Sequence, residues 1–267
     1  MTIETKSFQN RDSNPLLQGF VRNLQGGPAA WGPAFKNLGE QLNFQPEYIQ
    51  SPSERFGSLR ENLNTRAGIL ISNHPSALDM CFIFPALQRS DLLVMVQEKR
   101  FEFLATALGP QHVVQASSDP KKLSEITDRI LNHIKAGGLF VIFPSGGEEA
   151  KTNELHFRSG FRHLVSKLDP GNMVYSFYID PAAGKKVTSE VIGPPRGTTD
   201  KAMLIAPNLH VRPLREPLTV KVNENCSNVG EWQEIIAHSI QQTSPGKNNL
   251  LARHFLEKVA FPAETIG

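Results

Sequence analysis

From Ala67 onward, short apolar runs of β-prone residues alternate with stretches whose apolar positions follow helical spacing, and glycine, proline or a capping residue marks most changes. That alternation narrows the possible folds more than any other feature of the chain. Gly68-Ile69-Leu70-Ile71-Ser72 predicts a strand, as do residues 92–96, 112–116 and 139–143. Between the last two, Asp119-Pro120 opens a helix, Leu123, Ile126, Ile130 and Ile134 keep one apolar face, and Gly137-Gly138 closes it. Strand, helix and strand at this length imply a parallel, right-handed crossover. Residues 100–108 and 161–168 read as helices, and 173–179, 187–192, 210–213 and 218–222 as strands. Two further helical stretches are expected at 229–243 and 248–259.

The expected fold is therefore α/β: a mixed, partly parallel central sheet flanked by helices, with a short helical N-terminal lead-in. Residues 1–66 are polar and rich in Gly, Pro, Asn and Gln, with weak helical patterning near 15–24 and 33–42. They read as short helices and loops packed on the core. Residues 67–267 read as the α/β domain proper.

Charge and cysteine usage exclude several function classes. A formal charge of +2 with no basic stripe or interleaved aromatics argues against a nucleic-acid partner. Cys81 and Cys226 are far apart and outside any metal-ligand spacing, and His112, His133, His156 and His163 show none either, so neither a disulfide framework nor a metal is expected. The polar N-terminus has no apolar core of a secretory signal, which makes a cytoplasmic location the expectation. The longest apolar runs, at 80–87 and 139–144, fall well short of the roughly 18–20 residues that span a bilayer. A lipid substrate would then be met from solution or at the membrane surface, and an amphipathic surface contact by the N-terminal segment stays open.

Two motifs carry chemistry. In Asn73-His74-Pro75-Ser76-Ala77-Leu78-Asp79 a histidine and an aspartate stand five positions apart, directly after a predicted strand, with Pro75 placed to open a helix. A histidine there projects from the C-terminal edge of the sheet, where open α/β proteins place their sites. An aspartate one turn on can accept a hydrogen bond from one ring nitrogen and leave the other to act as base. With eight histidines in the chain, this spacing also arises by chance, so a helix-start histidine and a solvated aspartate compete with the catalytic reading. About 70 positions later the run Leu139-Phe140-Val141-Ile142-Phe143 enters Pro144-Ser145-Gly146-Gly147. The backbone N–H groups of this loop can receive an oxyanion or a phosphate, and alone it would pass for an ordinary turn. It is not a hydrolase nucleophile elbow, because no glycine precedes Ser145 at the required spacing.

Together the two motifs resemble the glycerol-3-phosphate and lysophosphatidic acid acyltransferase superfamily, whose members carry N-H-x-x-x-x-D after one strand and F-P-E-G-T or P-S-G-G after a later one. Asn73, His74 and Asp79 match the first block, and Phe143 to Gly147 match the later one in its Pro-Ser-Gly-Gly form. Phe157-Arg158-Ser159-Gly160 resembles the F-K-x-G that follows in many members. The resemblance implies transfer of a fatty acyl group from acyl-CoA or acyl carrier protein, as co-substrate, to a lipid or small-molecule acceptor, with no cofactor. It implies His74 as general base, Asp79 as its orienting partner, and a backbone cradle at Ser145, Gly146 and Gly147. Asn73, Lys99, Glu148 and Arg158 are the further candidate substrate contacts. A catalytically silent lipid-binding or scaffold protein of the same fold is the alternative, against which the presence of both His74 and Asp79 weighs. The run Phe82-Ile83-Phe84 is open to two readings, an acyl pocket or core.

Two departures bear on the acceptor. The segment Gly109 to Ala116 contains no arginine, where phosphate-acceptor members supply one, and Glu148-Glu149-Ala150 follows Pro-Ser-Gly-Gly where plastid-type members have Arg-Asp-Arg. Carboxylates beside a phosphate oppose its binding, so a neutral alcohol, an amine or a zwitterionic headgroup suits them better. As solvated loop charges pointing away they would say nothing about the acceptor. Lys99, Arg158 and Arg162 remain as candidate cations.

Overall fold

The computed structural model describes residues 15–51, 56–146, 155–192, 211–241 and 250–260. In chain order the elements are helices α1 (Pro15–Leu24) and α2 (Pro28–Gln41), strand β1 (Phe44–Gln50), α3 (Leu59–Thr65), β2 (Gly68–Ser72), α4 (Met80–Ile83) and β3 (Leu92–Val96). There follow α5 (Phe101–Leu108), β4 (Val113–Gln115), α6 (Pro120–Lys135), β5 (Leu139–Ile142), α7 (Ser159–Val165), β6 (Met173–Ile179) and α8 (Pro181–Lys186). The last are β7 (Leu218–Asn228), α9 (Val229–Gln241) and α10 (Leu250–Phe255).

The strands form one sheet in the order β1-β7-β6-β2-β5-β3-β4. Strands β6, β2, β5, β3 and β4 are parallel neighbours, β7 runs antiparallel to β6, and β1 is parallel to β7. The sheet is mixed, as its sequence predicts. Parallel strands covered by helices on both faces read as continuous apolar runs, and every residue of β2 and of β5 is buried.

Successive residues of each strand point to opposite faces, which sorts the core into two layers. Leu70, Val94, Val141, Tyr175 and Phe177 face Trp31, Phe35, Leu38, Phe82, Phe84 and Leu104 of the helices on one side. Ile69, Ile71, Leu93, Phe140 and Val174 face Ile130, Ile134, Phe161, Trp232 and Phe255 on the other. Phe82, Ile83 and Phe84 are wholly or almost wholly buried in the first layer, so that run is core.

Helix α6 follows its sequence signals closely: the Asp119 side chain accepts from the Lys121 N–H and Pro120 occupies the first turn. Three expectations are corrected. The lead-in contains β1, a full edge strand. Its Pro46 is tolerated because β1 pairs only with β7, and nothing local signals a partner so distant in sequence. Residues 187–192, expected as a strand, form a π-helical turn after α8, and Val187 and Val191, both buried, are spaced for one helical face. Residues 211–213 form no strand, and His210 lies outside the described residues. The strand expected at 218–222 extends to Asn228.

Two buried titratable groups set opposing responses to pH. In the first layer, Glu224 of β7 is fully buried, with Arg60 Nη2 2.7 Å from its Oε1 and the guanidinium 4.4 Å above the Tyr48 ring. Burial pushes the Glu224 carboxyl up from 4.5 to about 7, against the pull of Arg60. Opposite the other face, His254 meets Trp232 edge-on at 5.0 Å, and burial, aided by Lys258, lowers its imidazole from 6.5 to about 4.

A raised carboxyl pKa means that the folded state holds the proton more tightly, so this stability is present below about 4.5 and is lost as pH rises through about 7. A lowered imidazole pKa means that the unfolded chain takes the proton first, so that stability is present above about 6.5 and is lost as pH falls towards about 4. The two slopes oppose each other between about 4.5 and 6.5. Over that window Glu224→Gln is expected to make the urea midpoint fall with acidification more steeply than in the wild type, and His254→Leu to make it rise. Parallel profiles for all three proteins would contradict both assignments.

Candidate active site

Strands β2 and β5 are hydrogen-bonded neighbours with Ile71 opposite Ile142, so the segments that follow them emerge side by side at the C-terminal edge of the parallel block. The sheet thereby joins the two sequence motifs. No helix starts at Pro75: β2 ends at Ser72 and α4 begins at Met80, leaving Asn73 to Asp79 as a loop. Short side-chain bonds to the backbone compete with helix here. The Ser76 N–H donates to Asp79 Oδ2 at 3.1 Å, and the Leu78 N–H donates to Ser76 Oγ at 3.2 Å.

His74 Nδ1 and Asp79 Oδ2 are 2.8 Å apart. The aspartate side chain is fully buried and that of His74 is 21 % exposed, so the pair reaches the surface through its imidazole alone. The ring lies on the Phe143 ring, centroids 4.4 Å apart and planes 23° from parallel. Cys81, two residues beyond Asp79, is buried, and desolvation together with the Asp79 charge raises its thiol far above the ordinary range. It is therefore a packing residue, not a nucleophile.

The other predicted contacts divide. Asn73 is fully buried: its Nδ2 donates to the Ile179 carbonyl at 2.8 Å and its Oδ1 accepts from the Ile179 N–H at 2.7 Å. Both ends of the carboxamide are thus spent tying the end of β2 to the end of β6. Gly146 adopts φ +67°, and its N–H donates to the Phe143 carbonyl at 2.9 Å. The expectation that this N–H receives an oxyanion is corrected, because it closes the turn. A Cβ at Gly146 would stand 2.6 Å from Arg158 Nε, a second reason for glycine there.

Arg158 binds the turn twice, its Nε donating to the Ser145 carbonyl at 2.7 Å and its backbone N–H to the Pro144 carbonyl at 2.9 Å. Ser145 is half-buried beside it. Lys99 lies in the short turn Glu98–Arg100 that follows β3, at the same edge of the sheet. Gly147, Glu148 and Glu149 lie outside the described residues. On β4, Gln115 Nε2 donates to Glu98 Oε1 at 3.0 Å.

Two contacts at the site have no sequence signal. Gln97, at the end of β3, donates from Nε2 to the Gly146 carbonyl at 2.7 Å across 49 positions. Gly184 of α8 lies against Pro75, where a Cβ would come within 2.6 Å of the proline Cβ, so α8 walls the histidine loop at close range.

The family model described as Acyltransferase matches residues 57–183, a span that contains both motifs and all five strands of the parallel block. The protein is an acyltransferase. Residues 57–183 match that family, and they carry the two motifs that resemble the glycerol-3-phosphate and lysophosphatidic acid acyltransferase superfamily. Among solved structures the chain is similar to the 1-acyl-sn-glycerophosphate (LPA) acyltransferase PlsC from Thermotoga maritima, at 15% identity and TM-score 0.45, over 91% of this chain and 77% of that one. No curated protein matches it. Among the described residues no helix is long and apolar enough to cross a membrane.

Proposed function

We propose that the protein moves a fatty acyl group from an acyl thioester, acyl-CoA or acyl carrier protein, to a hydroxyl or amine of a glycerolipid-like or other small acceptor, with His74 as general base. The observation that carries this is the 2.8 Å His74–Asp79 pair standing at the edge of β2 beside the turn after β5. Asp79 commits Nδ1 as a donor, which assigns base chemistry to Nε2. Nε2 takes the acceptor proton as the acceptor oxygen or nitrogen bonds to the thioester carbon. The C–S bond then breaks, and the proton passes from the imidazolium to the leaving thiolate, so atoms and charge balance without an acyl-enzyme. The buried carboxylate stabilises the imidazolium in between.

The acceptor is proposed to be a neutral alcohol or an amine rather than a phosphate ester. β4 carries no arginine, and its Gln115 is paired with the acidic Glu98. The protein is proposed to work in the cytoplasm and to meet lipid at the membrane surface, which sedimentation with liposomes tests. The functional test is thiol release from palmitoyl-CoA and palmitoyl carrier protein with lysophosphatidic acid, glycerol 3-phosphate, monoacylglycerol and ethanolamine as acceptors. Release that depends on monoacylglycerol or ethanolamine supports the proposal. Release driven only by the phosphate esters overturns the acceptor class, and release independent of any acceptor overturns acyl transfer in favour of hydrolysis.

A further inference from the structure

The turn after β5 is held from two sides by donors to successive carbonyls: Arg158 binds the Ser145 carbonyl at 2.7 Å and Gln97 binds the Gly146 carbonyl at 2.7 Å. Their origins differ. Arg158 belongs to the segment that continues the turn into α7, whereas Gln97 follows β3, which lies on the side of β5 away from β2. Only the second bond ties the turn across the sheet.

We propose that Gln97 is a positioning residue for His74. The link runs through three short contacts. Gln97 Nε2 holds the Gly146 carbonyl, the Gly146 N–H closes on the Phe143 carbonyl at 2.9 Å, and the Phe143 ring lies 4.4 Å from the imidazole. A glycine at φ +67° has little backbone preference of its own to keep this turn in one conformation, so bonds from outside must do so. Gln97 is itself exposed, so ordering it costs side-chain entropy that its bond to the Gly146 carbonyl has to offset. When the bond is removed, Phe143 and the imidazole against it gain freedom, and the base spends less time aligned with the acceptor. Binding of the thioester is left nearly intact.

This rests on His74 being the base, so the test separates the two ideas. Gln97→Leu removes the donor at similar volume, and Gln97→Lys keeps a long side chain ending in N–H donors. With palmitoyl-CoA and the acceptor giving the greatest His74-dependent thiol release, Gln97→Leu is expected to lower turnover roughly tenfold. The KM for palmitoyl-CoA should stay within about twofold, the melting temperature should not change, and Gln97→Lys should recover most of the turnover. A second readout needs no substrate. In histidine-labelled full-length protein, the His74 ring resonance, assigned by its loss in His74→Ala, should move off its ring-current-shifted position in Gln97→Leu and return in Gln97→Lys. An unmoved resonance with wild-type turnover in Gln97→Leu overturns the proposal, as does a lysine variant as impaired as the leucine one. Retained release in His74→Ala would instead remove the base assignment and leave the resonance test of Gln97 standing.

Discussion

Acyl transfer by His74→Ala is expected to fall by roughly 10²- to 10⁴-fold, the usual contribution of a positioned general base, with the circular dichroism spectrum unchanged. The imidazole sits at the surface end of the pair, so the change gives up its stacking on Phe143, worth about 1 kcal/mol, and its bond to Asp79, whose Oδ2 keeps the Ser76 N–H as a donor. Asp79→Asn should impair turnover by a related route. The Ser76 N–H and the imidazole Nδ1–H both donate to the one oxygen Asp79 Oδ2, where a carboxylate has an acceptor in either orientation but a carboxamide would in part place its NH₂ group against the ring. That favours the tautomer with the proton on Nε2, where the base must be empty. Thiol release beside the wild type measures both, and more than about a tenth of wild-type turnover in His74→Ala would rule out its role as base.

Asn73→Ala is expected to act on stability, in contrast to its neighbour. It would leave the N–H and the carbonyl of buried Ile179 without their partner. At about 1–3 kcal/mol for each of the two buried groups left unsatisfied, the loss comes to roughly 2–6 kcal/mol, a large fraction of the stability of most domains. The check is a thermal melt paired with kinetics on the folded protein at low temperature. A markedly lower melting temperature with an unchanged KM is the expected result. A raised KM with an unchanged melt would return Asn73 to the role of substrate contact that the motif suggests.

That contrast shows what the sequence can convey about a site. His74 and Asp79 are legible because a strand, a loop and five positions of spacing are all local, and the final geometry uses only those. Asn73 belongs to the same motif, yet its partner lies 106 positions away on β6, and nothing in Asn-His-Pro tells a carboxamide that binds a ligand from one that binds a strand. Gln97 is invisible for the same reason, since its meaning depends on β3 lying next to β5. The fold divides along this line as well. β2, β3, β5 and β6 are apolar runs that any parallel sheet would bury, and they were recognisable one at a time. β1 alternates weakly and contains a proline, and it becomes a strand because β7 arrives beside it. The segment after α8 misleads in the other direction: its β-branched residues suit a strand, but burial selects Val187 and Val191 at helical spacing.

The reversed pair β7 and β1 also determines which part of the protein can be cut out without baring a new sheet edge. The family span, 57–183, ends before β7 and begins after β1, so excising it would strip β6 of its antiparallel neighbour along all seven of its residues. β6, Met173-Val174-Tyr175-Ser176-Phe177-Tyr178-Ile179, is apolar or aromatic apart from Ser176 and carries neither charge nor proline. A bare edge of that kind is a template for pairing with a second chain. In the intact protein β7 covers it, and the outermost strand, β1, presents Pro46 and Glu47, residues that discourage further addition. The two outer strands thus cover the edge that the parallel block would otherwise leave bare.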